Sequence, residues 1–528
     1  MPKVKKRAMM NPERKKEALY EERSVWQNWM ARVFVIIIMC VHPLYLTYER
    51  YGDLTRHKYE FFVVCMGIAI FAVFVIWISR MTEIPRLWPR DKLDVIDFAI
   101  LGFAVITILS ALLSPYRMET DVWGGYVERH DGAVTQLFYV AIFFIVSRWY
   151  KSRTLDITFF GISAILVALI GIFQFYGMDF FKLWPYHVEE FSVYSSYNIF
   201  FRTTLGNVNI VSSFVCIATL LCGFMFIKIK SKWWSVWLAA SALNFWLMEI
   251  ADADSGRIGL LVTMVLAIPF IIESRKTLGK TLILASSWIG VYTLQKLLYE
   301  VLSIQTREAG SLLMFAAVAL VPLAIGLVLV RWANEPCRQD EQARPKWKLG
   351  VILIALCLVV GVAGVEVLGR QNPETGNTNI IYELREILHG NIRDEFATYR
   401  VYIWRNALDA FKNNPIIGSG PDTFYYAFPA QAHRIINNEH YENAHNEYIQ
   451  ILVCQGIIGL ACYLVFIFGL LIKSIPKAFN DPLLMAVLVA FAGYCIQAFF
   501  NLSIPIVTPT LWIFAGILAG MLRKPKEA

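Results

Sequence analysis

The chain has 528 residues, 57% of them hydrophobic and 14% aromatic, with 17% charged and a formal net charge of +8. Its mean hydropathy of +0.51 is far above that of a soluble domain, which excludes a wholly water-exposed surface and predicts an all-α, polytopic integral membrane protein. Eight of the nine cysteines fall in apolar runs and Cys337 stands alone in a charged stretch, so neither a disulfide framework nor a zinc spacing is present, and a nucleic-acid partner is not expected.

The basic start, MPKVKKRAMMNPERKK, leads into an apolar run without a small-residue cleavage site. Residues 1–31 are therefore expected to form a cytoplasmic tail ahead of a retained first span. Apolar runs of about 18–25 residues, long enough to span a bilayer, occur at 32–48, 60–79, 95–113, 133–149, 156–176, 206–227, 233–250, 256–273, 280–297, 311–330, 349–368, 446–472, 483–501 and 503–522. These fourteen expected helices divide the chain into a bundle of about eleven (32–368), a long outer loop (369–445), a C-terminal group of about three (446–522) and a short tail (523–528).

Most of the 49 Lys and Arg fall in the segments that are inside if the N-terminal tail is cytoplasmic, namely 1–32, 80–92, 148–153, 228–232, 273–280, 331–348, 473–477 and 523–528. The positive-inside rule then places both termini in the cytoplasm, and the chain in the bacterial cytoplasmic membrane is the expected setting. All eight histidines, together with Arg129, Arg202, Arg257 and Arg400, fall on the opposite face. That face is where site chemistry is expected.

Two outer loops are long, 177–203 and 369–445. In the second, FATYRVYIWRNALDAFKNNP repeats Val401, Trp404, Leu408 and Phe411 at helical spacing before Pro415, which predicts an amphipathic helix. PIIGSGPDTFYYAF follows, with Gly418 and Gly420 for tight turns, and the chain then reaches AHNEYIQILVCQGIIGL, where His445 stands at the start of a span. Gly456 and Gly459 within that span are expected to let helices pack closely.

The segment from Arg400 through GSGPDTF to AHNEYIQILVCQGIIGL resembles the large outer loop and following helix of bacterial O-antigen ligases and related O-antigen and exopolysaccharide polymerases. RTTLGNVNIVSSF (202–214) is similar to an arginine and Gly-Asn-x-Asn element of that family. SGRIGLLV (255–262) resembles its Ser-Arg-Gly-Gly element with Gly and Arg interchanged, and WGGYVERHDGAV (123–134) an earlier outer-loop pattern. The resemblance implies a glycosyltransferase-C-like membrane enzyme without metal or cofactor. It implies a donor glycan on undecaprenyl pyrophosphate and, as acceptor, a sugar hydroxyl on a glycan, lipid or polymer. A lipid-linked oligosaccharide flippase is the alternative, since such transporters also reach fourteen spans.

The reaction needs positive charge for a pyrophosphate leaving group and a base for the acceptor proton. Arg202, before a helix that opens with Asn207, and Arg257, behind Ser255 and Gly256, are the candidates for the pyrophosphate, although interfacial arginines also snorkel to headgroups. His445 is the candidate base, with Asn446 and Glu447 near enough in sequence to orient its ring or to meet substrate; a histidine that merely caps or packs is the other reading. Arg129, Arg400 and Asn207 are candidates for glycan or acceptor contact, a solvated surface face being the other reading for the two arginines. Asp252 and Asp254 have the spacing of an Asp-x-Asp metal element, but a solvated helix cap is the expected role.

Overall fold

A computed structural model describes residues 25–78, 93–127, 129–183, 201–301, 312–333, 346–370, 380–433 and 440–523. Most of the expected cytoplasmic tails, and residues 184–200 of the first long loop, lie outside the described residues. The helices are α1 (Val25–Leu44), α2 (Leu54–Ile78), α3 (Val95–Leu113), α4 (Ala133–Trp149), α5 (Thr154–Phe175), α6 (Val208–Lys228), α7 (Trp234–Ala251) and α8 (Asp254–Leu266). They continue as α9 (Arg275–Val301), α10 (Leu312–Ala333), α11 (Trp347–Leu368), α12 (Ile380–Leu388), α13 (Arg400–Phe411), α14 (Glu447–Ala478), α15 (Pro482–Gln497) and α16 (Thr508–Arg523). Among the described residues the strands are one two-residue pair, β1 (Phe201–Arg202) and β2 (Gly206–Asn207), antiparallel with Arg202 opposite Gly206.

The all-α expectation holds, and a helix lies in each expected span. Eight helices among the described residues are long and apolar enough to cross a membrane, and three apolar ones, Ala133–Trp149, Val318–Ala333 and Thr508–Arg523, are shorter. α7 and α9 carry more polar residues, and α8, at 13 residues, reaches only about 20 Å against a hydrocarbon core of about 30 Å.

α6 is the central helix: its apolar window is 100% buried, against 0% for α11, and it packs on α7, α8 and α15. Small residues permit this. A Cβ on Gly256 would lie 2.5 Å from Ser212 Oγ, and one on Gly259 would lie 3.1 Å from the Gly493 carbonyl, so α8 approaches α6 and α15 backbone to backbone. The interchanged Gly-Arg order thereby finds its reason: position 256 faces α6 with no room for a side chain, and the arginine follows it at 257.

Charge closes the end of the bundle opposite the 380–445 segment. Buried Asp97 on α3 accepts from Arg148 of α4 at 2.6 Å and Arg523 of α16 at 2.7 Å, while Lys473 of α14 reaches Asp94 at 3.0 Å. These pairs tie four helix ends together, each buried charge being matched by a partner. At the other end α1 finishes in a π turn and a 3-10 turn, and the buried Lys58 ammonium on α2 donates to the His42 and Pro43 carbonyls at 2.8 and 3.1 Å. A cation at a helix C-terminus satisfies carbonyls that have no intrahelical donor.

α14 is not continuous. Gly456 sits at φ 69°, ψ −174°, a conformation open to glycine alone, and breaks the 32-residue helix within the bundle. The segment 415–420 fills the break: Ile457 N donates to the Pro415 carbonyl at 2.9 Å, Ser419 N to Val453 at 3.0 Å and Gly420 N to Cys454 at 2.9 Å. Ser110 Oγ on α3 adds a bond to the Cys454 carbonyl at 2.8 Å. Backbone groups at membrane depth have no water to turn to, so a span can open only where other protein groups replace the lost helical bonds. The expectation of simple close packing at Gly456 is corrected here, whereas Gly459 does face Ile106 of α3.

Candidate active site

The inserted segment continues into Gly-Pro-Asp, and Asp422 anchors it. Its Oδ2 accepts from the backbone amides of Tyr126 and Asp131 at 2.7 and 3.2 Å, and its Oδ1 pairs with Arg129. Arg129 also donates to the Glu442 carbonyl at 2.9 Å and is 4% exposed. Burial lowers the Arg129 pKa against the opposing pull of Asp131, yet a guanidinium stays charged. The structure thus spends Arg129 on fixing the loop that leads to His445. Asp422 had no place among the sequence candidates; its signal was an acid directly after Gly-Pro in a loop that had to hold one shape.

Beneath this anchor lies a cavity of about 30 Å³, room for about one water, lined in part by Asp131, Glu447, Gln455, Tyr139 and Ser503. Burial pushes the Asp131 carboxyl up to about 8 despite Arg129. Glu447, the first residue of α14, accepts from the hydroxyls of Tyr463 and, at 3.2 Å, Tyr494. Its carboxylate therefore points into the bundle and does not orient His445.

Asn446 is equally engaged: its Oδ1 caps α14 by accepting from Tyr448 N at 3.0 Å and Ile449 N at 3.1 Å. With the cap supplied by the next residue, the His445 ring is released from that duty. Its backbone stands at φ 45°, in the left-handed region, held by a bond from its amide to Asn443 Oδ1 at 2.8 Å. The ring's Nδ1 is buried with no hydrogen-bond partner among the described residues. Burial first, then the charges of Arg400 and Arg129, lower its pKa from 6.5 to about 3. The imidazole is therefore neutral with an open nitrogen, the state a proton acceptor requires.

Arg400 reaches this point from α13, which packs on α14. The buried face of α13 is Ile403, Ala407 and Ala410, while Leu408 is 44% exposed, so the apolar stripe expected through Leu408 is shifted by a residue or so. Trp404 donates to the Ala444 carbonyl at 2.9 Å, one residue before His445. Arg400 donates to the Ala397 carbonyl at 3.2 Å and feels the charge of Asp254, which draws α13 and the start of α8 into one electrostatic neighbourhood.

At that start Arg257 donates to Asp252 at 2.8 Å, Asp254 at 3.2 Å and the Glu249 carbonyl at 3.0 Å, with the Glu249 carboxylate 3.5 Å away. Asp252 and Asp254 are thus partners of a guanidinium. Among the described residues no set of three or more His, Cys, Asp or Glu side chains is arranged to hold a metal ion.

Arg202 is 5% exposed, on the β1–β2 hairpin, its guanidinium 4.8 Å from the centre of the Phe175 ring. Asn207 caps α6, its Oδ1 accepting from Asn209 N at 2.9 Å. The hairpin is pinned to the end of α5, where Gln174 Oε1 accepts from Thr203 N at 2.7 Å. A largely apolar groove of about 420 Å³ opens on the same end, lined by Leu44, Leu46, Leu166, Phe173 and Gln174 and reaching Thr204. Phe175 packs with Trp246 and Ile250 of α7, whose last turn also supplies the Glu249 contacts of Arg257. Both arginines therefore border the same end of α7.

The structure brings His445 and Arg400 together, sets Arg202 and Arg257 around α7, and assigns Arg129, Asn207, Asn446 and Glu447 partners within the fold. An O-antigen ligase family model matches residues 192–464, a stretch that contains every one of these except Arg129. No curated protein matches the chain.

Proposed function

The chain belongs to the O-antigen ligase family, and from that membership we propose that it moves a glycan from undecaprenyl pyrophosphate to an acceptor sugar hydroxyl on the outer face of the cytoplasmic membrane. It is a multi-pass membrane protein and an O-antigen ligase-like glycosyltransferase. The membership leaves the flippase alternative without support.

The observation that carries the reading is a neutral histidine with an open ring nitrogen beside Arg400, at the same end of the bundle as Arg202 and Arg257. In the proposed reaction the acceptor oxygen attacks the anomeric carbon of the donor sugar, and the bond from that carbon to the pyrophosphate oxygen breaks. The acceptor proton passes to His445. The negative charge that grows on the pyrophosphate is met by Arg202 and Arg257, whose planar forks match phosphate oxygens and stay charged in a low dielectric. The groove beside Arg202 offers the polyprenyl chain an apolar path. Arg400 meets the donor glycan or acceptor near the base, and Arg129 acts by holding the loop.

Purified protein in nanodiscs, given undecaprenyl-pyrophosphate glycan, provides the test. Longer chains from donor alone identify a polymerase, and transfer that requires a second acceptor identifies a ligase. Absence of transfer under both conditions refutes the reading. Single cysteines at positions 202, 257 and 445 in a Cys-free background should react with an impermeant thiol reagent in intact spheroplasts; labelling only after lysis would reverse the orientation.

A further inference from the structure

One guanidinium, Arg257, faces three carboxylates. The three are not equivalent. Glu249 is 18% exposed at its side chain and belongs to the last turn of α7, whereas Asp252, which ends α7, and Asp254, the first residue of α8, are 71% and 59% exposed. Asp252 ends α7 in the left-handed region at φ 51°, which turns the chain back toward the guanidinium. The backbone carbonyl of half-buried Glu249 holds one guanidinium nitrogen at 3.0 Å with its carboxylate 3.5 Å away, and the two exposed aspartates share the donors of the other terminal nitrogen.

Those donors are what a diphosphate would use. A dianionic group approaching Arg257 meets the two aspartates first, and both cannot keep their bonds while a phosphate takes a bidentate seat on the same fork. We propose that Asp252 and Asp254 are positioning residues that act as an exchangeable clamp: they hold Arg257 extended toward the site when no donor is bound and swing to solvent when a lipid-linked diphosphate displaces them, so that they set donor affinity. Glu249 keeps its grip throughout and leaves the guanidinium aligned. The exposed Asp side chains have two rotatable bonds and open water beside them, so the exchange needs no backbone movement. Arg400, which feels Asp254, is a second cation toward which a displaced carboxylate can turn. This inference rests on reading Arg257 as a ligand of the donor pyrophosphate.

The clamp predicts a gain of affinity from removing acids, an outcome a metal-holding pair or a merely structural turn would not give. Asparagine tolerates the left-handed conformation at 252, and Asp252→Asn with Asp254→Asn keeps side-chain size. Since exposed ion pairs are individually weak, the double variant should bind undecaprenyl pyrophosphate in nanodiscs about three- to tenfold more tightly. The Michaelis constant for donor should fall by a similar factor, and transfer should survive chelation. The gain should vanish when Arg257→Ala is added. Unchanged or weaker binding by the double variant, or activity lost in EDTA and restored by manganese or magnesium, overturns the clamp. The two ideas fail separately: if Arg257→Ala alone weakens binding while the double Asn variant does nothing, only the clamp falls. If Arg257→Ala leaves binding untouched, the pyrophosphate assignment of Arg257 falls and the clamp with it.

Discussion

Replacing Gly456 by alanine tests how the broken helix serves the site. The new Cβ would lie 2.3 Å from the Ile416 carbonyl oxygen, and no L-residue adopts φ 69°, ψ −174° without strain. That strain alone costs about 1–3 kcal/mol. Relief requires the helix to close over Gly456 and expel residues 415–420, which breaks the bonds from Ile457, Ser419 and Gly420 at 2.9, 3.0 and 2.9 Å. Each amide or carbonyl left unpaired away from water costs about 1–3 kcal/mol, so the expected loss is at least about 3 kcal/mol, on the scale of the largest single-residue effects. The same movement pulls Asp422 from Arg129, and with it the hold on the His445 loop. A thermal melt in detergent should show a clear drop for Gly456→Ala, and transfer should fall with it. Gly361→Ala on α11, where nothing lies within 4 Å of the new Cβ, is the matched control and should be neutral or slightly stabilising. If Gly456→Ala melts and transfers like the parent protein, the inserted segment is not what supports the site.

His445→Ala should slow single-turnover transfer roughly 10²–10⁴-fold with donor affinity nearly intact, because a base contributes mainly in the transition state. Because the pKa of His445 is depressed to about 3, the imidazole stays neutral as pH falls and is lost as a base only near that value. The profile of kcat/KM should therefore have no acidic limb between pH 5 and 8. Donor pyrophosphate offsets nearby positive charge, so an acidic limb in kcat should lie higher; a kcat/KM limb near pH 6.5 would refute the electrostatic reading. Asp422→Asn leaves buried Arg129 without its countercharge and should cost about 3–5 kcal/mol in a denaturation assay, with Arg129→Met recovering part of it. Asn446→Ala removes a helix cap worth about 1 kcal/mol and should lower the melting temperature while transfer by the surviving enzyme stays near normal. Arg202→Ala should weaken donor binding and turnover together, and Arg202→Lys should restore them only in part, keeping charge but losing the fork.

Hydropathy placed helices throughout the chain because a span is a local sum over about twenty residues that needs no partner to be recognised. For the same reason the ends of spans were legible, and with them Arg202, Arg257 and His445 as unusual residues there, with Arg400 in the long loop expected on the same face. The register of SGRIG, the buried face of α13 and the break at Gly456 were not. A glycine inside an apolar run looks the same whether it lets a neighbour approach or lets the helix open, and only the carbonyls of Pro415 and Ile416 decide between them. The roles of the charges are likewise non-local. Arg129 reads as a glycan contact or a solvated cation until Asp422, nearly 300 residues later, is seen against it, and Asp252 and Asp254 read as a solvated helix cap until Arg257 is seen paired with both. Sequence fixes which groups sit at the membrane boundary, because transfer free energy belongs to each segment separately. Folding decides which of those groups are already spent on one another, because a Coulomb or hydrogen-bond energy exists only once two groups have been brought within a few ångströms.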